Sequence, residues 1–203
     1  MPRGNVPGVP GVVCAMETSK VGAMAQQDGV AGSHSSARAD AFRNLAEKHL
    51  DASYGLAYVI LGQRSEAEDA THDAFVTAWR KWATLRDHGL FQHWFDRILV
   101  NTCRNRLRHA ARRRTQDLSP ELQFQASDDH GATNDRALLL PALARLAPDQ
   151  RVVVALRFYR DMSIDQIAAG LGVPPGTVKS RLHRGLRELR ARLDEDGPRG
   201  TVR

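Results

Sequence analysis

The side chains whose types and spacing most clearly suggest a binding function are the cations of residues 163–194, near the end of the chain. Two amphipathic helical patterns occur there, separated by Gly172 and by the pair Pro174 and Pro175. Gly172 stands where a left-handed cap would end the first helix, and Pro175 is tolerated in the first turn of the second. Guanidinium and ammonium groups bind phosphates, and they also read base edges in the major groove. The spacing predicts a helix-turn-helix whose second helix binds duplex DNA.

Apolar and basic positions divide both predicted helices into faces. The apolar positions are Ile164, Ile167, Ala168 and Leu171 in the first helix and Val178, Leu182, Leu186, Leu189 and Leu193 in the second. The cations Lys179, Arg181, Arg184, Arg187 and Arg190 face elsewhere. Because arginine is a good helix former, a helical hairpin with a solvated basic face is the alternative interpretation.

A second basic segment runs from Arg97 to Arg114 and contains seven arginines without any acid. Such a single-sign run repels itself unless a polyanion neutralises it. The aromatic residues Phe91, Trp94 and Phe95 precede it, and bases of single-stranded nucleic acid stack on aromatic rings beside basic tracks. A core role for Trp94 or Phe95 is the alternative. The amide of Asn101, on the same predicted helix, could pair with an adenine edge.

Acidic residues open the helical pattern that precedes this basic helix. Ser65 and Glu68 have the spacing of a capping box, which places the helix N-terminus at Ser65. Since carboxylates also favour the positive end of a helix dipole, these acids have a purely structural explanation. The three tryptophans, Trp79, Trp82 and Trp94, are more than one helix side usually hides. We therefore expect an exposed partner-binding patch beside the core positions.

Charge and composition narrow the function classes. The 203 residues carry a formal net charge of +6, which favours a polyanionic partner. No apolar run approaches the roughly 20 residues of a membrane span, and no secretory signal is visible. Cys14 and Cys103 lack ligand spacing, so we expect a reducing cytoplasm and a buried Cys103. The scattered histidines form no catalytic or metal-ligand pattern, and we expect neither enzymatic activity nor a metal or cofactor.

Helical patterning without strand alternation predicts an all-α fold of two small helical domains joined by a flexible linker, the second of which contains the helix-turn-helix. The predicted parts are a disordered N-terminal extension (residues 1–38), a helical domain (39–114), an acidic linker (115–136), a domain with the helix-turn-helix (137–194) and a tail (195–203). Met16 and Met24 are alternative starts within the extension. A regulator that binds DNA alone and an enzyme acting on nucleic acid are the rival function classes.

Residues 66–82, 91–114 and 139–193 resemble, in this order, a bacterial sigma factor of the extracytoplasmic-function group. Their central motifs are EAEDATHDAFVTAWRKW, FQHWFDRILVNTCRNRLRHAARRR and SIDQIAAGLGVPPGTVKSRLHRGLRELRARL. This group keeps only conserved regions two and four of the sigma-70 family. The resemblance implies a factor that binds core RNA polymerase, recognises promoter −10 and −35 elements and directs transcription initiation.

The resemblance also assigns site residues by position. Binding to the clamp helices of the polymerase β′ subunit is implied for Asp69, Asp73, Phe75, Trp79 and Arg80. Recognition of the −10 element is implied for Phe91, Trp94, Arg97, Asn101, Arg104 and Arg108. Recognition of the −35 element is implied for Thr177, Lys179, Ser180, Arg181, His183, Arg184 and Arg187. Further implied partners are the polymerase β flap, through region four, and promoter DNA. Control by an anti-sigma protein or by expression level stays open, and no membrane insertion is expected.

Overall fold

The computed structural model describes residues 34–116 and 134–196. Seven α-helices span these residues: α1 His34–Leu61, α2 Arg64–Arg80, α3 Phe91–Gln116, α4 Asn134–Ala144, α5 Pro148–Phe158, α6 Ile164–Leu171 and α7 Pro175–Asp196. Two 3-10 helices, Trp82–Thr84 and His88–Leu90, connect α2 to α3. Helices and no strands occur in the described ranges, which confirms the all-α prediction.

Several predicted segments lie wholly or largely outside the described residues. These are the N-terminal extension up to residue 33, the acidic linker over residues 117–133 and the tail from residue 197. Residues 34–38, which the sequence assigned to the extension, belong instead to the first turns of α1.

The chain divides into two compact units, Met1–Asp51 and Ala52–Arg203. The described part of the first unit is the beginning of α1, where Arg43 pairs with Asp40 at 3.1 Å. The second unit contains the end of α1 and the six following α-helices, and therefore both of the predicted basic helices.

Within the second unit, α2 packs along α3 through small side chains. Four alanines of α2, Ala67, Ala70, Ala74 and Ala78, are fully buried. Small residues at this spacing form one face and let two helix axes approach closely. Farther along, the Phe75 ring stacks on Phe95 of α3, with 4.3 Å between ring centroids. Phe91 in turn stacks on Phe95 at 5.6 Å, so aromatic rings fill the space between the helices.

The predicted capping box at the start of α2 is wrong. Helix α2 begins at Arg64, and the extended residue before it is Gln63, whose side chain accepts no capping hydrogen bond. The reason is the short connection from α1: the backbone reverses at Gly62, whose φ of 80° is left-handed, and only Gln63 remains before the helix. Ser65 consequently lies inside the first turn, where its side chain cannot act as the cap.

The predicted helix-turn-helix is confirmed as α6, a tight turn and α7. Ser163 caps α6 in a full capping box with Gln166, and this S-x-x-Q spacing is a local signal of the helix start. The helix ends at Gly172, which takes the predicted left-handed conformation with φ 66° and ψ 37°. Pro175 is the first residue of α7, where a missing N–H costs nothing.

The apolar seam of α7 differs from the predicted one at a single position. Val178 and Leu189 are buried, whereas Leu186 is 37% exposed. The buried position between them is Gly185, where a Cβ atom would lie 3.1 Å from Cγ2 of Val154 on α5. Gly185 lies three residues after Leu182 and four before Leu189, so it shares their side of the helix. Leu186, one residue farther along, lies about 100° around the helix from Gly185.

Cys103 lies in the core of the second unit, as predicted. Its thiol is fully buried, and this burial raises the pKa of Cys103 to about 12. The thiolate is the reactive form of cysteine, so at neutral pH this side chain serves as a small hydrophobic residue.

Two exposed serines test the observed helix starts. Because the Ser163 hydroxyl satisfies an otherwise free backbone N–H of α6, Ser163→Ala should lower the free energy of unfolding by about 1 kcal/mol. The control is Ser65→Ala, which removes no cap and should change stability by less than about 0.5 kcal/mol. Urea denaturation of both variants measures the difference. Equal losses would contradict the assigned caps.

Candidate nucleic-acid interfaces

Helix α7 presents a basic face over its first half. Five residues of the predicted −35 set are exposed: Lys179, Ser180, His183, Arg184 and Arg187. Thr177 is half-buried at the start of the helix, and its carbonyl accepts a hydrogen bond from the Ser180 hydroxyl at 3.0 Å. Arg181 is not free, since its guanidinium pairs with Asp149 of α5 at 2.6 Å.

Helix α3 combines a buried apolar face with a basic outer face. Arg97, Asn101 and Arg108 are exposed and follow one another at spacings of four and seven, so they share one side of the helix. Arg104 lies between them, but only 13% of its side chain is exposed because it donates a hydrogen bond to Asp149 at 3.1 Å.

The aromatic residues at the start of α3 do not form the open stacking platform that the sequence suggested. Phe91 is 1% exposed and Phe95 is buried with it, so neither ring can receive a base in this conformation. Trp94 is half-buried and contacts the Phe91 ring, with 6.0 Å between centroids. Phe91 is therefore corrected to a core residue that supports Trp94.

The predicted polymerase-binding residues of α2 likewise include both exposed and buried side chains. Asp69, Asp73 and Arg80 are exposed, Trp79 is half-buried, and Phe75 is a core residue that cannot contact a partner directly. Asp73 and Arg80 line an open groove of about 380 Å³ between α2 and α3. Its other lining residues are Val76, Thr77, Thr102, Asn105, Arg106 and His109.

Arg106 organises the acidic face of α2 from its place on α3. Its guanidinium lies 2.9 Å from Glu66, 3.7 Å from Asp69 and 2.6 Å from Asp73. Burial alone would lower the pKa of Arg106, but hydrogen bonds to Asp73 and Glu66 outweigh burial and raise it. The carboxylates are thus held in one arrangement, although no local pattern in the sequence links Arg106 to them.

A further set of contacts joins the helix-turn-helix part of the second unit to α1 and α3. Arg160, in the turn after α5, pairs with Asp96 of α3 at 2.8 Å, and both side chains are 5% exposed. Burial raises the pKa of Asp96, while the charge of Arg160 opposes this rise. Arg151 of α5 donates a hydrogen bond to the backbone carbonyl of Ile60 in α1 at 2.9 Å. Sequence reasoning missed these pairs because their members lie far apart in the chain.

No metal centre or membrane span accompanies these surfaces in the described ranges. No group of three or more histidine, cysteine, aspartate or glutamate side chains there could hold a metal ion. The helices of residues 34–116 and 134–196 include none with the length and apolarity needed to cross a membrane.

Family models match both parts of the chain. The model described as Sigma-70 region 2 matches residues 45–113, and the one described as Sigma-70, region 4 matches residues 136–189. The first match contains α2 and most of α3, and the second contains the complete α5 and α6 and most of α7.

Curated relatives agree with these matches. The RNA polymerase sigma-E factor of Streptomyces coelicolor is 38% identical over 130 residues, which are 63% of this chain and 72% of that protein. The ECF RNA polymerase sigma factor SigL of Mycobacterium tuberculosis is 32% identical over 165 residues, which are 79% of this chain and 93% of that protein.

Solved structures show the same fold. The sigma factor RpoE in complex with the anti-sigma factor NepR from Bartonella quintana matches with a TM-score of 0.66 at 25% identity, covering 76% of this chain and 98% of that one. CnrH in complex with the cytosolic domain of CnrY matches with a TM-score of 0.55 at 25% identity, over 88% and 97% of the two chains. The chain belongs to the sigma-70 family and, within it, to the extracytoplasmic-function (ECF) group of sigma factors.

Proposed function

We propose that this chain is an alternative sigma factor that binds core RNA polymerase, recognises promoter −10 and −35 elements and directs transcription initiation. The observation that carries the proposal is the pair of exposed basic helix faces, one on α3 and one on α7, within matches to sigma regions 2 and 4. Region 2 corresponds to residues 39–114 and region 4 to residues 137–194, joined by the acidic linker 115–136.

The α7 face recognises the −35 element. In a helix-turn-helix the first turns of the second helix enter the major groove, and these turns carry the exposed Lys179, Ser180, His183 and Arg184. Phosphate contacts fix the register of the helix and base-edge contacts give specificity. Arg187, one turn later, lies on the same side and suits a phosphate. Thr177 and Arg181 complete the surface once Arg181 leaves Asp149.

The α3 face recognises the −10 element and holds separated strands. Asn101 is exposed between arginines, so its amide can bond the edge of an unpaired base while Arg97 and Arg108 bind phosphates. Opening a base pair costs a few kcal/mol, and each base held outside the stack repays part of it. Trp94 provides the partly exposed ring beside this face, and Arg104 joins it when released from Asp149.

The acidic α2 face contacts the polymerase. Asp69 and Asp73, held in place by Arg106, offer carboxylates to a basic partner helix. Arg80 lines the groove beside Asp73, and the half-buried Trp79 precedes it in α2. This surface suits the clamp helices of the β′ subunit, and region 4 additionally contacts the β flap. Aromatic and arginine side chains are the usual anchors of such interfaces.

Tethering to polymerase explains how two small DNA-binding surfaces find a promoter. A good bidentate base contact discriminates by about 1–3 kcal/mol, which is too little to select one site among the many competing sites of a genome. When both surfaces are attached to one polymerase, the second contact becomes intramolecular and gains a high effective concentration. The chain therefore acts in the cytoplasm, beside the chromosome, without catalysis of its own.

Control by an anti-sigma protein belongs to the same proposal. The similar sigma factors RpoE and CnrH were solved with the anti-sigma factor NepR and with the cytosolic domain of CnrY, respectively. A protein that covers the basic faces of α3 and α7 would remove both promoter contacts at once.

Reconstitution with core RNA polymerase tests the proposed function. The full chain should co-purify with the core enzyme and direct transcription from a subset of a promoter pool. Without the core enzyme, its affinity for promoter DNA should be weak. The rival class, a stand-alone regulator, predicts tight binding to a palindromic duplex without polymerase. A chain that binds neither the core enzyme nor its promoters would overturn the proposal.

Asn101→Ala should impair strand opening more than polymerase binding. Loss of the amide removes a contact to an unpaired base and should reduce the fraction of open promoter about tenfold. Permanganate reactivity of unpaired thymines measures opening, and co-purification measures polymerase binding. Unchanged opening at saturating protein would refute the role of Asn101.

Arg184→Ala should weaken recognition of the −35 element and leave permanganate reactivity intact at saturating protein. Arg184 is exposed on the face that enters the DNA major groove in this proposal, so loss of its guanidinium should cost about 1–3 kcal/mol of binding free energy to a −35 duplex. Electrophoretic mobility shift at fixed salt measures this affinity. Arg190→Ala, which removes an exposed charge farther along α7, is the matched control. Equal effects of the two substitutions would argue against base recognition by Arg184.

A further inference from the structure

We propose that Gly176, in the first turn of α7, is a positioning residue for −35 recognition. By lacking a side chain, it lets the N-terminal end of α7 enter the major groove deeply enough for longer side chains of the helix to reach base edges. This role rests on the sigma function proposed above, and it adds a residue that lies outside the −35 set assigned by resemblance.

The fold of the chain gives no reason for a glycine at position 176. Every other glycine of the described residues has either a left-handed backbone, as at Gly62 and Gly172, or a neighbouring atom within 4 Å of the place where a Cβ atom would lie. A Cβ atom at Gly176 would meet nothing within 4 Å, and the backbone there is not left-handed. Alanine would fit this position and is the better helix former.

Gly176 lies on the side of α7 that points away from the core. Val178 is fully buried, and a separation of two residues corresponds to about 200° of helix rotation. Ser180, His183 and Arg187 follow Gly176 at spacings of four, three and four residues, so they share its side of the helix, and all are exposed. These four residues form the outer ridge, which is the part of α7 that enters farthest into a groove.

The outer ridge carries its smallest residues at the N-terminal end. Gly176 has no side chain, and the Ser180 hydroxyl turns back to donate a hydrogen bond to the Thr177 carbonyl at 3.0 Å. His183 and Arg187, which follow, have much larger side chains. In a helix-turn-helix the N-terminal residues of the second helix meet the base edges. The ridge is therefore shortest where the DNA comes closest.

The dimensions of the major groove make this shape important. The groove is about 12 Å wide and about 8.5 Å deep, and a helix with its side chains is about 10–12 Å across. A helix fills the width of the groove, so the side chains of its outer ridge limit how deeply it enters. Lys179 and Arg184 are exposed on opposite flanks of the ridge, and their contacts to base edges depend on that depth. A methyl group at Gly176 would hold both away from the bases.

Gly176→Ala should change stability and DNA affinity in opposite directions. Alanine favours the helix, so the melting temperature should rise by about 1–3 °C, measured by circular dichroism. The affinity of the full chain for a −35 duplex should fall roughly 5- to 30-fold, because an added methyl group displaces the helix from a closely packed interface. Electrophoretic mobility shift at fixed salt measures this affinity. A residue that serves only the fold would move both quantities in the same direction.

A series of larger side chains extends the test. Leucine and methionine are nearly as good helix formers as alanine, so Gly176→Leu and Gly176→Met should keep the gain in melting temperature. They should lose more affinity for the −35 duplex than Gly176→Ala does. Affinity for a scrambled duplex depends on phosphate contacts, and it should change by less than about twofold. The ratio of the two affinities should therefore fall as the side chain grows.

Gly170→Ala is the matched control, because it makes the same chemical change in α6. A Cβ atom at Gly170 would be in ordinary van der Waals contact with Cγ of Arg97, at 3.7 Å, and it would not lie on the outer ridge of α7. This variant should also gain stability. Its affinity for the −35 duplex should stay within about twofold of wild type.

The outcomes separate the role of Gly176 from the sigma function. Equal affinity of wild type and Gly176→Ala for the −35 duplex would overturn the role of Gly176. The same conclusion would follow from a loss that Gly170→Ala shares, or from a loss accompanied by a lower melting temperature. A wild-type chain that binds the −35 and scrambled duplexes equally, with and without core polymerase, would overturn −35 recognition itself and the role of Gly176 with it.

Discussion

The arrangement of the second unit depends on one buried ion pair, that of Arg160 and Asp96. Taking two charges out of water is costly, and the cost is recovered only when each charge meets the other in good geometry. Burial raises the pKa of Asp96, and the charge and hydrogen bond of Arg160, with a smaller contribution from His93, oppose that rise. Removing one member of such a pair typically lowers the stability of the fold by about 3–5 kcal/mol, so the pair strongly favours the one packing of helices in which Arg160 meets Asp96.

Helix α3 is where the demands of folding and binding meet. Its buried side carries Phe95 and Cys103, and its outer side carries Arg97, Asn101 and Arg108. A basic face of this density would repel itself in a free helix. It is tolerated because the apolar side is anchored and because acids from other helices neutralise part of the charge. The same helix can thus be stable within the fold and still attract a polyanion.

Local patterns were enough to predict the helical fold, the left-handed Gly172 and the helix start at Pro175, since each follows from backbone sterics of a few residues. They failed where a neighbouring element decides. Ser65 fits a capping box, but after the turn at Gly62 the N-cap position falls on Gln63, two residues earlier. The partners of Asp149 could not be predicted, because they depend on how distant helices pack. For the same reason, sequence suggested an exposed ring at Phe91 where the structure buries it.

The glycine at position 185 has a consequence for anyone who wishes to retarget this protein to new promoters. Helix α7 can be changed on its outer side, where side chains end in solvent, but on its inner side a methyl group at position 185 would lie 3.1 Å from Val154 and 3.4 Å from Gln150, so these neighbours would have to move by a few tenths of an ångström. Selection experiments on the recognition helix should therefore return diverse residues at the outer positions after Gly176 and only small residues, chiefly glycine, at position 185.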